Sequence, residues 1–437
     1  MTDKLTDCDI LYFIEHPSRE LDTATAVKYF CEKKFNLRVV ILSLPLGFRD
    51  ATHKYRAKVA VFPFLISSDI KFYYQGGYYI NHWKNVTYFN LNFEQYFYSA
   101  NRSFKAPKDD FARSRVYQQA WSNAFRDYLV EFGVDPAKIF VNGNSNFMLY
   151  REPYRKLYAN KIELGRKYEL DHSKAWILLA ENYGWAFLSD RELNTRIDHG
   201  FERSSAYRCR EVNKQNISKV LRWLHDLCAD RNNIEIILRP RPAVSIAEWK
   251  DTIEKEIGHL PSGLHIIKNG TIKEWILSSD IVLSSVSTCL MDAVVADKPA
   301  YILEPVRFPQ EFVPEWFDKL DHLTSYEEFL STVDKPVFNR RHAALRDDII
   351  VENLANGDPI QNLAGYLSTL VMNHRGEAVF IPSRFDSIRH LYRRAAAVKG
   401  AIVGAFTGEP VGSRFESDKI EDRDIMLKMS RWGEVLS

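Results

Sequence analysis

Two loops in the second half of the chain combine residue types suited to holding an anion. In Leu238-Arg239-Pro240-Arg241-Pro242 an apolar run ends in two arginines, and the prolines prevent it from continuing as strand or helix. Two guanidinium groups on a stiff loop suit a diphosphate, or a phosphate plus a carboxylate. The alternative is a surface pair used in structural salt bridges. In Ser284-Ser285-Val286-Ser287-Thr288-Cys289-Leu290-Met291-Asp292-Ala293 a hydroxyl-rich loop opens a helix. Helix amides and the hydroxyls of Ser284, Ser285, Ser287 and Thr288 can receive a phosphate; the plainer reading is N-capping by Ser287 or Thr288. Asp292, in the first turn, complements the helix dipole or contacts a ligand. Glu181 ends another apolar run and is followed by Asn182-Tyr183-Gly184-Trp185. It is placed to accept hydrogen bonds from ribose hydroxyls or a base amino group, with Tyr183 or Trp185 either stacking or simply buried.

The first half supplies carboxylates. Glu15, His16, Glu20 and Asp22 surround the end of the first apolar run, and Glu94 follows a later one. Transfer of a group onto a hydroxyl needs a base, or a nucleophilic carboxylate for double displacement. Glu20 and Asp22 are the first candidates and Glu94 the next. Each has a structural alternative: Asp22 as an N-cap, Arg19 pairing with an acid, and His16 in a structural role.

These loops follow compact apolar runs that read as buried parallel strands over 10–14, 38–44, 59–65, 86–91 and 139–141. A helix capped by Asp22 or Thr23 runs through Cys31, and another over 120–132 stops at Gly133. A polar, aromatic, helical bridge spans 151–168. The alternation then restarts, with strands over 176–180, 234–238, 264–267, 281–283 and 299–303. Helices are predicted over 217–229, 246–257, 271–277 and 289–296, with a polar loop before about 213. Strands alternating with helices predict an α/β chain built from doubly wound parallel sheets. In such sheets ligands bind outside the carboxyl ends of the strands, where these loops lie. The expected division is 1–150, 151–375 and a helical segment 376–437 that packs back on the first domain. In that last segment Arg384, Arg389, Arg393, Arg394 and Lys399 alternate with Phe385, Ile388, Leu391 and Tyr392. This is a basic amphipathic helix, either with a solvated basic face or adhering to an anionic membrane surface.

At 437 residues the chain is long enough for two domains at roughly 150 residues each. A net charge of +2 argues against a nucleic-acid partner, which needs a basic stripe. The 5 cysteines are scattered without a Cys-x-x-Cys pair, so neither a zinc site nor a disulfide framework is expected, and a reducing compartment fits. No secretory signal is visible, and no run reaches the roughly 18 apolar residues of a membrane span. A cytoplasmic protein is expected, with peripheral contact at the inner face of the membrane left open. Walker, Gly-x-Gly-x-x-Gly and Gly-x-Ser-x-Gly loops are absent, as is an Asp-x-Asp pair after a strand. No metal or cofactor is therefore expected, and charge on a leaving phosphate falls to Arg239, Arg241 and the helix amides.

An ordered set of motifs over roughly 10–305 resembles bacterial surface carbohydrate (surface polysaccharide) biosynthesis proteins. The set is Tyr12-Phe13-Ile14-Glu15, Arg19-Glu20-Leu21-Asp22, Val141-Asn142-Gly143-Asn144, Tyr154-Arg155-Lys156-Leu157-Tyr158, Ala180-Glu181-Asn182-Tyr183-Gly184 and the two anion loops. The resemblance implies a GT-B-like glycosyltransferase, with two Rossmann-like domains facing across a cleft. The first domain would take a glycan or lipid-linked glycan acceptor and supply an acid from Glu20, Asp22 or Glu94. The second would bind a nucleotide-sugar donor through Glu181, Arg239, Arg241, Ser285, Ser287 and Thr288. The pattern is also similar to Kdo and sialic-acid transferases, whose His-Pro and Ser-Thr loops hold CMP, which favours a CMP-linked acidic sugar. Here Arg241 stands where their histidine precedes the proline, and Ser145 and Met148 replace the expected Pro and Asp after Gly-Asn. Three rivals stand beside this reading: a CDP-alcohol polyol-phosphate transferase, a non-catalytic sugar- or nucleotide-binding protein of glycan assembly, and a sugar-nucleotide epimerase.

Overall fold

The computed structural model describes residues 5–69, 79–80, 82–103, 105–198, 200–241, 244–380 and 419–436. The basic segment around 384–403 lies outside them. The chain forms two compact units. The first comprises 1–95, 106–149 and 352–437, the second 96–105 and 150–351.

The first unit is built on β1 (Thr6–Ile14), β2 (Val39–Ser43), β3 (Tyr55–Phe62), β5 (Thr87–Asn90), β6 (Val116–Ala120) and β7 (Ile139–Val141). All pairings are parallel, in the order β2-β1-β3-β5-β6-β7. Short β4 (Trp83–Lys84) pairs antiparallel with β14 (Val379–Phe380). Ile10 to Ile14 are almost wholly buried, as a central strand covered on both faces requires. Phe13 stacks on Phe62 with ring centroids 4.9 Å apart, within a cluster that includes Leu11, Tyr79 and Trp83.

The Pro17–Phe35 helix begins with proline at its first turn, where the missing N–H costs nothing. Its N-cap, His16, makes no side-chain cap bond; Asn36 closes the helix in the left-handed conformation, φ 52°. The helix packs against Pro359–Met372 and Asp422–Leu436. Trp432 is fully buried there and donates Nε1 to Thr25 Oγ1 at 3.0 Å.

The second unit has β8 (Ala175–Ala180), β9 (Ile234–Arg239), β10 (Leu264–Ile266), β11 (Ile281–Ser284), β12 (Ala300–Leu303) and β13 (His322–Leu323). They are parallel in the order β10-β9-β8-β11-β12-β13. Strand order reverses between β8 and β11, which is the switch point where doubly wound sheets open a crevice. Capping boxes start four of its described α-helices, among them Ser245 with Glu248 for Ile246–Ile257 and Thr271 with Glu274 for Ile272–Ser278. Both units are therefore α/β, each built on a wholly parallel six-stranded Rossmann-like sheet, and the last described element is a helix.

Several local expectations are revised. The helix predicted over 120–132 is β6 followed by Asn123–Glu131, because Ser122 accepts from Phe125 N and sets the start. The polar loop predicted before 213 is two helices, Asp190–Asp198 and Arg203–Asp230. Glu202 caps the second through Ser204 N and Ser205 N, a residue outside the usual N-cap set. The bridge over 151–168 is helical in two pieces, Tyr154–Leu157 and Lys161–Tyr168, the latter boxed by Asn160 and Glu163.

Candidate functional site

In the second unit the end of β9 and the loops after β8, β9 and β11 carry all six residues expected to bind a nucleotide, and the structure gives them unequal roles. Glu181 is buried; Oε1 accepts from Tyr183 N and Oε2 from Arg241 N at 3.1 Å. Burial raises its pKa, while the amides of Arg241 and Tyr183 and the Arg241 charge oppose the rise. Glu181 thus ties the β8 loop to the β9 loop. Arg239 is buried as well. It donates Nη1 to Asn269 O at 2.8 Å and Nη2 to Gly270 O. Burial pushes its pKa down to about 10. Its guanidinium braces the loop after β10.

Arg241 is the arginine that reaches solvent. Its side chain lies along Gly184: a Cβ there would stand 2.7 Å from Arg241 Nη1. Glycine at 184 is what allows this close approach. In the third loop Ser284 Oγ donates to Ala180 O, joining the ends of β11 and β8 across the switch point. Ser287 Oγ accepts from Cys289 N at 3.3 Å, while Thr288 occupies the N-cap with no side-chain bond. Ser285 Oγ is buried with no hydrogen-bond partner among the described residues. An orphaned buried hydroxyl costs about 1–3 kcal/mol and calls for a reason.

Behind this loop Asp292 is buried beside Lys273 and Tyr150. Burial lifts its carboxyl to about 7, against the pull of Lys273 and Tyr150. Unfolded, an Asp titrates near roughly 3.9. Between these values the native state holds a proton that the unfolded chain has released. This contribution to stability is therefore full below about pH 4, declines as pH rises toward 7, and is flat above it. Asp292→Asn is expected to flatten that part of the profile, read as urea midpoints at pH 5 and pH 8. An unchanged difference between the two pH values would show that Asp292 is not the titrating group.

In the first unit the expected acids divide. Arg19 donates Nη2 to Glu20 at 2.7 Å and Nη1 to Glu94 at 2.9 Å, and its Nη2 lies 3.4 Å from Glu15 Oε2. Its guanidinium carbon stands 5.0 Å from the centre of the Phe93 ring. Burial would lower the Arg19 pKa, but Glu20, Glu94 and Glu15 hold it raised. Buried Glu20 also accepts from Glu15 N at 2.9 Å and His16 N at 3.4 Å, which fixes the turn that enters the helix. Burial raises the Glu15 carboxyl despite Arg19. Asp22 lies elsewhere on the helix, buried and paired with Lys428 Nζ at 2.5 Å. Glu94, 45 % exposed, is the most open of the three candidate acids.

Beside this cluster the carboxyl ends of β1, β5 and β6 line a small open pocket with Thr23, Phe93, Gln119, Trp121 and Asn144 among its walls. A buried amide network supports it: Asn90 Nδ2 donates to Asn92 Oδ1 at 2.8 Å and to Gln118 Oε1 at 2.9 Å. Gln95 Oε1 accepts from Trp121 N at 2.7 Å. Apart from Thr23 and Asn144, none of these residues stands out as a candidate in the sequence. The available signal was Asn90, Asn92, Gln118 and Gln119 standing where buried parallel strands should be apolar. Arg19 was read only as a possible ion-pair partner, and buried Lys273 had no signal at all.

Among the described residues no group of three or more His, Cys, Asp or Glu side chains is arranged to hold a metal ion. None of their helices is long and apolar enough to cross a membrane.

No family model matches the chain, and no curated protein matches it. Solved structures do. The wall teichoic acid polymerase TagF aligns at TM-score 0.51 and 13% identity, over 85% of this chain and 90% of that one. A TagF variant soaked with CDPG aligns at TM-score 0.51 and 12% identity, over 83% and 88%. A candidate UDP-N-acetylglucosamine 2-epimerase from Listeria monocytogenes aligns at TM-score 0.50 and 13% identity, over 86% of this chain and 100% of its own. At such identities the likeness is one of fold, and the fold is the GT-B type.

Proposed function

We propose that this protein is a glycosyltransferase that moves a sugar from a nucleotide donor onto a surface glycan. A CMP-linked acidic sugar is the first donor to test. The reading rests chiefly on one observation: the loops after β8, β9 and β11 meet at the switch point of the second sheet. They are tied there by Glu181 and by Ser284, and they carry an open arginine and an unpaired serine hydroxyl. In this reading Glu181 and Arg239 hold the loops in position. Arg241, Ser285, Ser287 and Thr288 meet the phosphate, and helix amides stabilise the leaving group. The first unit takes the glycan or lipid-linked acceptor in the pocket beside Phe93 and Trp121. A CDP-alcohol donor is the second reading, since a protein of the same fold, TagF, has been soaked with CDPG. It would leave a phosphodiester, which product mass distinguishes from a glycoside.

The test is thermal stability against CMP, CDP, UDP, GDP and dTDP, in the natural protein and in Arg241→Ala. A ligand of the folded state at a hundredfold excess over its Kd stabilises by about 2.7 kcal/mol. CMP is expected to raise the midpoint most. Arg241→Ala is expected to weaken binding by about 2 kcal/mol, some thirtyfold, with an unchanged ligand-free midpoint. Unchanged affinity in calorimetry would remove Arg241 from the site. No shift with any nucleotide would leave a sugar-binding protein without donor chemistry.

A further inference from the structure

Arg196 has no place in the reading above, yet it occupies the same ground as Arg241. It extends from the Asp190–Asp198 helix and sits half-buried over the Trp185 ring, its guanidinium carbon 4.7 Å from the ring centre. Trp185 is the residue after Gly184, on which Arg241 lies. Two guanidinium groups therefore rest on consecutive residues of one loop. Among the described residues neither makes a hydrogen bond or ion pair through its side chain. The carboxylate nearest along the helix, Glu192, is committed to Ser189, accepting from its N at 2.9 Å and its Oγ at 2.8 Å. Trp185 is itself held edge-on by Phe201 at 5.4 Å and Phe312 at 5.2 Å, so the platform beneath Arg196 is packed from two sides. Burial lowers the Arg196 pKa most and the neighbouring Arg241 adds to it, while Tyr98, Cys209 and Glu192 oppose the fall.

Two like charges are brought together with no ion pair to either among the described residues, and Glu181 and Glu192 act on them only at a distance; this disfavours the ligand-free fold, and the cation–π contact offsets part of that. Such an arrangement becomes favourable when an anion arrives, and guanidinium forks suit planar, bidentate contact with oxyanions.

We propose that Arg196 and Arg241 form a two-armed oxyanion site over the Gly184–Trp185 turn, which binds a ligand carrying two anionic groups. One group is the phosphate next to the nucleoside; the other is a second phosphate or the carboxylate of an acidic sugar. This rests on the nucleotide reading for the identity of the ligand, but not for the existence of the anion site.

The experiment uses the full chain and Arg196→Met, with inorganic pyrophosphate, CMP, CDP and CMP-N-acetylneuraminate as probes. Calorimetry should show affinity for at least one two-anion probe falling about tenfold or more, the loss of one charge-assisted contact. The thermal midpoint without ligand should stay level or rise, because the variant removes a half-buried cation that has no ion pair among the described residues. Arg196→Lys, which keeps the charge, should retain part of the affinity and guards against a folding defect in the methionine variant. A loss for CDP and pyrophosphate identifies the second anion as phosphate; a loss confined to CMP-N-acetylneuraminate identifies it as carboxylate. Equal affinities in the natural protein and Arg196→Met overturn the site, and leave the nucleotide reading standing if nucleotides still bind. Arg196-dependent binding of pyrophosphate with no nucleotide binding supports the site and removes the nucleotide reading. A lowered ligand-free midpoint with unchanged affinity would make Arg196 structural and overturn the proposal.

Discussion

Glutamine at position 94 is expected to cut turnover about a hundredfold or more, the usual contribution of a positioned base. Donor affinity and the thermal midpoint should stay close to those of the natural protein. Glu94 is singled out by what surrounds the other acids. Glu20 serves two backbone amides and a guanidinium, and Asp22 is buried against Lys428. Glu94 is partly open, held by Arg19 at 2.9 Å, and adjoins Phe93 in the wall of the pocket. The exchange to glutamine keeps shape and hydrogen bonding to Arg19 but abolishes proton acceptance. The measurement is single-turnover transfer with saturating donor, run beside Asp22→Asn. Loss of turnover in the asparagine variant alone would reverse the two roles.

Arg19→Ala is expected to destabilise the first unit by about 3 kcal/mol at neutral pH, in the range seen when one partner of a buried ion pair is removed. Three carboxylates converge on this guanidinium, and Glu20 is only 2 % exposed. Without the cation their mutual repulsion is unopposed. The pH dependence has a definite sign. Burial already raises the Glu15 carboxyl in the natural protein, and losing Arg19 raises it further. The folded variant then binds protons that the unfolded chain releases above its ordinary value of roughly 4.3. Its stability should therefore recover as pH falls from 7 toward 4, and the penalty should shrink. Urea unfolding followed by tryptophan fluorescence at pH 7 and pH 5 reads both effects. A penalty independent of pH would mean that packing of the Arg19 stem, not charge, carries the loss.

Much of the scaffold could be read from the residues because its central strands are buried on both faces. The runs before Glu15, Glu181, Arg241 and Ser285 are apolar without alternation, and they become β1, β8, β9 and β11. The loops that follow them were legible for the same reason. What each side chain does there was less so. An acid after a strand looks the same in sequence whether it awaits a ribose or, like Glu181, braces two loops through backbone amides. Arg239 and Arg241 are two residues apart, and only the fold turns one into the sheet and the other into solvent. β6 was hidden because its Gln118 and Gln119 spend their polarity inside the unit, on Ala112 O and Gly143 O. The return of the chain to the first unit at 352 was hidden too. The charged Arg340–Asn353 helix gives way to the uncharged Pro359–Met372 helix across Gly357 and the Asp358 cap, which reads as a turn between two helices and not as a change of unit.

That return has a consequence for how the gene can be cut. Gly143 holds φ at +96°, and a Cβ there would lie 2.3 Å from Asn353 O; Asn144 N donates to the same carbonyl at 2.9 Å. Asn142 Nδ2 reaches Pro359 O at 2.8 Å. The chain thus leaves the first unit and re-enters it at neighbouring points. Residues 150–351, which carry all of the second unit except 96–105, are in effect an insertion with adjacent ends, the arrangement that lets one domain be excised from another. A short linker joining 149 to 352 would close the gap and give the first unit, with the 96–105 segment, as a single polypeptide in which the helices that cover Pro17–Phe35 are still attached. Truncation at 351 would instead remove those helices and leave the buried face of Pro17–Phe35 open to water.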